Sequence, residues 1–207
     1  MVFTKESIIL VSVKYKSRYM MDMVRIKLFK NELAWCQRHA EDIVNHYGGE
    51  GSGGSGSYNH NKVSSNLVGV KSEVATKVWF KQFLPLEIIE CNYEKFGDEA
   101  KMLVGDLNIG GQSFEIKGLQ PYQWDKFKRM VPPRQLHHYV QDNAIIIWTT
   151  ATGDTKDSKV YLKGWNYAHE VRSKGINVVT ICDNVWLEND ADMREMQELK
   201  PILQTLK

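Results

Sequence analysis

Apolar and polar positions divide the chain into segments with distinct periods. Val24, Ile26 and Leu28 alternate with Arg25 and Lys27, the two-residue period of a half-buried strand, so 23–28 is predicted as a strand. The apolar run 7–13 predicts another strand before it. Over 31–47, Leu33, Trp35, Cys36, Ala40, Ile43, Val44 and Tyr47 recur at helical spacing, with Asn31 placed to cap the helix. Residues 65–83 form the next predicted helix, with Val70, Val74 and Val78 along one face. Strands are predicted over 101–109 and 112–118, joined at Gly110-Gly111. A short helix follows over 121–130, carrying Trp124 and Phe127, and a further one runs from Pro132-Pro133 to Gln141, proline being suited to a first helical turn. The run AIIIWTTA over 144–151 is apolar and β-branched, the mark of a strand buried on both faces. Strands over 160–165 and 176–182 and a terminal helix over 193–206 complete the reading. That order predicts an α/β fold, a central mixed β-sheet flanked by helices.

The 207 residues suit one domain, long enough to bury a core without disulfides or a structural metal. Within it the expected parts are N-terminal strands and helix over 1–47, a Gly/Ser-rich loop over 48–57 (GGEGSGGSGS), a core over 65–182 and the terminal helix. The loop has the composition of a flexible connector, either a natural loop or an engineered splice. Cys36, Cys91 and Cys182 lie far apart with no CxxC pair. This argues against a zinc site or disulfide framework and for a reducing compartment. The apolar run 8–13 is too short for a secretory or spanning segment, so the expectation is a soluble, cytoplasmic protein with no membrane partner.

Net charge is only +2, but it is unevenly spread. Lys5, Lys14, Lys16, Arg18, Arg25, Lys27 and Lys30 crowd the N-terminal stretch against Glu6 and Asp22. Lys117, Lys126, Lys128, Arg129 and Arg134 form a second basic group against Asp125. Such patches fit phosphate-backbone binding and also fit an ordinary solvated surface.

The chemistry concentrates in 105–118, GDLNIGGQSFEIKG. Gly-Gly between alternating strands signals a two-residue hairpin, because such turns need positive φ. Closing the turn there sets Ile109 opposite Gln112, Asn108 opposite Ser113, Leu107 opposite Phe114 and Asp106 opposite Glu115. Opposed residues share a face, and so does Lys117, two beyond Glu115. Leu107, Phe114 and Ile116 take the other face. The register that buries the apolar side therefore gathers two carboxylates and an ammonium on the opposite one. Facing like charges destabilise a hairpin, and a divalent cation would convert that repulsion into ligation. Mg²⁺ is commonly held by one or two carboxylates with substrate phosphate, where it can polarise a phosphoryl oxygen and acidify a bound water. The competing reading is a solvated hairpin face.

Asp106 followed by Glu115-Ile116-Lys117 on the next strand resembles the PD-(D/E)XK nuclease superfamily, with Gly105 in place of the usual proline. The resemblance covers about 65–182 and implies a restriction-endonuclease-like core, with metal ligation by Asp106, Glu115 and the Ile116 carbonyl and a catalytic role for Lys117. Gly69 and Glu73 lie four apart on the preceding helix, where the superfamily often carries a glutamate that reaches the metal. Gln135-Leu136-His137-His138-Tyr139 matches the QxxxY pattern of RecB-like and lambda-exonuclease-like members, so Gln135 and Tyr139 are expected to contact DNA or the lysine. Lys126, Lys128, Arg129, Arg134 and Tyr139 are the expected nucleic-acid contacts. Segment order also resembles small phage-type nucleases, down to a late strand ending Gly164-Trp165.

Other signals are weaker. Asn59-His60-Asn61 lacks the surroundings of an HNH nuclease, and the adjacent His137 and His138 cannot share a metal from one helix. Trp79, Trp124, Trp148, Trp165 and Trp186 read as core rather than base-stacking residues. The glycine-rich connector lacks the Gly-Lys-Ser/Thr ending of a phosphate loop. The acidic stretch 183–192 reads as a surface loop. The expectation is thus a Mg²⁺-dependent deoxyribonuclease, Mn²⁺ substituting, with an endonuclease favoured over an exonuclease and DNA as partner. A homo-oligomer remains open. The alternative is an inactive nucleic-acid-binding or phage assembly protein that keeps the fold.

Overall fold

A computed structural model of the chain describes residues 23–47, 62–97, 104–127, 129–179 and 183–206. The strand expected over 7–13, the connector over 48–57, Asn59 to Asn61, Lys128 and Cys182 lie outside the described residues. The fold is mixed α/β. A six-stranded sheet contains β1 (Val24–Lys27), β2 (Ile89–Cys91), β3 (Leu107–Ile109), β4 (Gln112–Leu119), β6 (Ile145–Ala151) and β7 (Lys159–Tyr167), in the order β1-β7-β6-β4-β3-β2. β2, β3 and β4 form an antiparallel meander. β4 and β6 are parallel, which obliges the chain to cross over between them. A second sheet, β5-β9-β8, contains β5 (Arg129–Val131), β8 (Ile176–Val179) and β9 (Asp183–Leu187).

Two apolar clusters sandwich the large sheet. One holds Phe114, Ile116, Ile145 and Ile147 with α1 (Lys30–Tyr47), α2 (Val63–Phe80) and α6 (Met196–Thr205). The other holds Ile146 and Trp148 with Leu136 and Tyr139 of α4 (Pro133–Gln141), Val171 of α5 (Ala168–Lys174) and Val185 and Leu187 of β9. Successive residues of β6 thus feed opposite layers, and every residue of that strand is buried, as the unbroken apolar run implies.

α2 sits tightly on the sheet. The approach is closest at Gly118, where an added Cβ would lie 2.6 Å from Ser72 Oγ. Thr149 Oγ1 donates to Ser72 Oγ at 2.7 Å, which in turn donates to the Val68 carbonyl at 2.8 Å. Lys71 is buried on the same helix and donates to the carbonyls of Thr152 at 2.8 Å and Asp154 at 3.0 Å, pinning the loop after β6.

Several boundaries differ from the expectation for local reasons. α1 begins one residue before Asn31, and Glu32 supplies the cap by accepting the Phe29 N–H at 2.7 Å. The helix expected over 121–130 ends at Phe127 as α3 (Pro121–Phe127), and Arg129 to Val131 pair instead with β9. Part of the acidic stretch expected as a loop is β9 itself, with Val185 and Leu187 buried. Neither β2 nor α5 stands out in the pattern, being three and seven residues long. Among the described residues no helix is long and apolar enough to cross a membrane.

Candidate active site

Gly110 and Gly111 turn the hairpin at φ 56° and 85°. The observed pairs are Leu107 with Phe114, Asn108 with Ser113 and Ile109 with Gln112, the register derived from the turn, but the expected pair of Asp106 with Glu115 is not formed. Asp106 lies one residue before β3, where pairing to β4 stops. Its N–H donates to the Phe114 carbonyl at 2.8 Å. Its Oδ2 then accepts the Ile116 N–H at 2.7 Å, so the carboxylate stands in for the missing strand. A residue's N–H and C=O project to the same edge of a strand, which puts the Ile116 carbonyl on Asp106's side, past the end of β3.

Gly105 makes this corner possible. Its φ is +77°, and a Cβ there would lie 2.8 Å from the Phe114 carbonyl oxygen. Proline, locked near −65°, cannot occupy that position.

Glu115 and Lys117 project from the face of β4 opposite Phe114 and Ile116. Lys117 Nζ lies 2.6 Å from Glu115 Oε1, donates to Gln135 Oε1 at 3.0 Å, and reaches the Tyr139 hydroxyl at 3.4 Å. The Tyr139 ring lies beneath it, centroid at 5.3 Å. Gln135 and Tyr139, one turn apart on α4, therefore meet at the lysine; Gln135 is exposed and Tyr139 buried.

Glu73 approaches from α2. Burial, then the charges of Asp106 and Glu115, hold its carboxyl well above the usual range, against the pull of Lys117. Asp106 is raised in the same way, by burial and then Glu115, with the Ile116 N–H and Lys117 opposing. Burial and the same two acids also raise Tyr139. Two carboxyls held above their usual range beside a third carboxylate favour the approach of positive charge. Among the described residues, no three of His, Cys, Asp and Glu stand together as a ready metal cage. Glu115 is turned towards Lys117 and Asp106 towards Ile116, so each carboxylate already has a partner.

The expected nucleic-acid contacts separate. Lys126 and Arg134 are exposed. Arg129 requires a correction: it is 1% exposed, its Nε donates to the Leu187 carbonyl at 2.9 Å, and it pairs with Asp190 while stacking over Trp124. The pairing of β5 with β9 draws it inside, where it serves the fold. Gly69, expected to allow the close helix approach, is only partly buried; Gly118 has that part.

Asn92 was not legible in the pattern. Its N–H donates to the Asp106 carbonyl at 2.9 Å and its Nδ2 to the Gly105 carbonyl at 3.2 Å, clamping the corner that carries Asp106. It lies in a stretch with no periodic signal, and the contact spans 13 residues.

No family model, curated protein or solved structure matches the chain.

Proposed function

We propose that the protein is a metal-dependent nuclease that hydrolyses DNA phosphodiesters at the β3–β4 corner. The observation that carries this is the convergence of Asp106, Glu115 and Lys117 at one corner, with Glu73 of α2 near enough for the charges of Asp106 and Glu115 to raise its carboxyl. Burial holds the Glu73 and Asp106 carboxyls above their usual range even with Lys117 beside them, and carboxylates kept so close together cost stability. The donor set suits Mg²⁺ or Mn²⁺, which asks for one or two carboxylates and takes its other oxygens from carbonyls, water and phosphate. Asp106, Glu115 and the Ile116 carbonyl would hold the ion and Glu73 would reach it. The bound ion would supply Lewis acidity and a more acidic water.

Lys117 balances Glu115 in the free protein, and its ammonium stabilises charge gained by the scissile phosphate. Gln135 and Tyr139 fix where that ammonium sits. Lys126 and Arg134 hold flanking phosphates, which position a strand without reading its sequence. A second reading, a nucleic-acid-binding protein without catalysis, draws on the 2.6 Å contact that occupies Glu115.

Supercoiled, linear and single-stranded DNA, each incubated with Mg²⁺, Mn²⁺ or EDTA, separate the two. The nuclease reading expects metal-dependent cleavage that Asp106→Asn abolishes with no change in the circular-dichroism spectrum. Cleavage that survives Asp106→Asn removes the assignment, and metal-independent binding without cleavage supports the second reading.

A further inference from the structure

A cavity of about 310 Å³ lies between α1, α2 and the segment around β2, on the lower limit of the size range that encloses small ligands. Lys77 of α2 and Lys81 just past its C-terminal end line it, Trp35 and Tyr93 supply aromatic surface, and Glu32, Glu87 and Glu94 supply carboxylates. Its position ties it to the candidate active site in two ways. Glu73, Lys77 and Lys81 are spaced four apart on one helix face, so the lysines follow the glutamate at steps of about 6 Å along the axis. Across the cavity, the Tyr93 N–H donates to the Asp106 carbonyl at 3.2 Å. The cavity wall and the catalytic corner are thus one hydrogen-bonded unit.

The lining selects among ligands. A simple anion would meet the lysines but also Glu32, Glu87 and Glu94. An apolar molecule would leave five charges facing it. With Glu94 held by Lys77, a nucleotide offers phosphate for the lysines, a ring face for Trp35 and Tyr93, and an exocyclic amino group for a carboxylate, the pairing by which Glu reads cytosine N4.

We propose that this cavity is a subsite for one unstacked nucleotide of the strand next to the phosphate that is cut. It rests on the nuclease reading for its place in the reaction. It implies a substrate with a single-stranded or frayed segment, because a base inside a duplex cannot enter a pocket without leaving the stack. Lys81 adds a pH signature. Burial and the neighbouring Lys77 push it down to about 8, against Glu32, Cys91 and Glu94. Lys77 itself is paired with Glu94 at 3.2 Å, and Glu87 also faces the cavity. Affinity for a phosphate at Lys81 should fall as pH rises past about 8.

The test is fluorescence anisotropy with a labelled single-stranded oligodeoxynucleotide in EDTA, so that binding is read apart from cleavage. Lys77→Met and Lys81→Met, which keep the aliphatic stems, should each weaken binding several-fold and flatten the salt dependence by roughly 0.7 in log–log slope. Lys81→Met should also remove the fall in affinity above pH 8, and Lys81→Arg should restore binding at all pH values. A wholly abasic strand of equal length should bind the wild type several-fold more weakly than the natural strand. Wild-type affinity and slope in both methionine variants would overturn the subsite, as would equal binding of the abasic strand. Neither result touches the nuclease reading, which stands or falls on metal-dependent cleavage and Asp106→Asn.

Discussion

Glu170 and Asp106 are both poorly exposed carboxylates in the same molecule, and their surroundings treat them in opposite ways. Burial works against ionisation of Glu170, but Arg194, with Nη2 at 2.6 Å from Oε1, and the Tyr167 N–H at 3.1 Å outweigh it and hold the carboxyl below its usual range. Arg129 and Asp190 are paired in the same manner beside the second sheet. Asp106 is raised by burial and then by Glu115, and neither the Ile116 N–H nor Lys117 offsets them. One region spends its charges on holding α5 and β9 in place. The other leaves Glu73 and Asp106 raised above their usual range despite Lys117. Identical residue types thus serve as paired scaffold in one place and stand as a candidate site in the other, and the two differ in the direction of their proton-affinity shifts.

The largest expected effect breaks the comparison at Glu115. Glu115→Gln keeps the shape and should lower cleavage by at least about 10³-fold, roughly 4 kcal/mol of transition-state stabilisation. Stability in EDTA should stay level or rise, because one of three like charges is gone. Steady-state rates and thermal melts on the same sample check both halves, and a variant that cleaves normally would falsify the catalytic role.

The next effect concerns metal and pH together. Saturating Mg²⁺ or Mn²⁺ should stabilise the wild type by about 2.7 kcal/mol at a hundred times the dissociation constant. In EDTA the raised carboxyls of Glu73 and Asp106 reverse the usual acid sensitivity. A group with a raised folded-state value contributes stability that is complete below its unfolded value, near 4, and is lost as pH rises through the folded value. Metal-free protein should therefore melt at a higher temperature in mild acid than near neutrality as far as this cluster decides. Glu73→Gln should flatten that pH dependence and shrink the metal response. Calorimetry across pH, with and without metal, is the check; equal metal responses in wild type and variant would move the ion elsewhere.

Glu170→Gln sharpens the other side. Arg194 is partly solvated, which limits the loss, so the variant should cost about 1–2 kcal/mol through the ion pair and the helix cap. The remaining folded protein should cleave at the wild-type rate. Denaturant melts paired with active-site titration measure this, and a lost rate at full stability would contradict the division into scaffold and site.

The smallest effect distinguishes two arginines. Arg134→Gln should leave the melting temperature unchanged and reduce the salt slope of DNA binding by about one. Arg129→Gln should lower the melting temperature and leave that slope alone, because its guanidinium is buried against Leu187 and Asp190. The reverse pattern would restore Arg129 as a nucleic-acid contact.

The chain alone determined what local rules can carry. Gly110-Gly111 specified the turn, the turn specified the register of β3 with β4, and the period of two placed Glu115 and Lys117 on one face and Phe114 and Ile116 on the other. The unbroken apolar run of β6 announced burial on both faces, and the four-residue spacing of Gln135 and Tyr139 announced a shared helix face. Other features only tertiary structure decided. Arg129 looked like a surface cation until β9 drew it inside. Asn92 and Tyr93 reached the Asp106 carbonyl from a segment with no periodic signal. Gly105 is required before Asp106 because the chain turns there at φ +77° and the Phe114 backbone, nine residues on, crowds the corner. Periodicity reports which way a side chain points along its own element. What it meets there depends on contacts between distant segments, and those arise only when the layers pack.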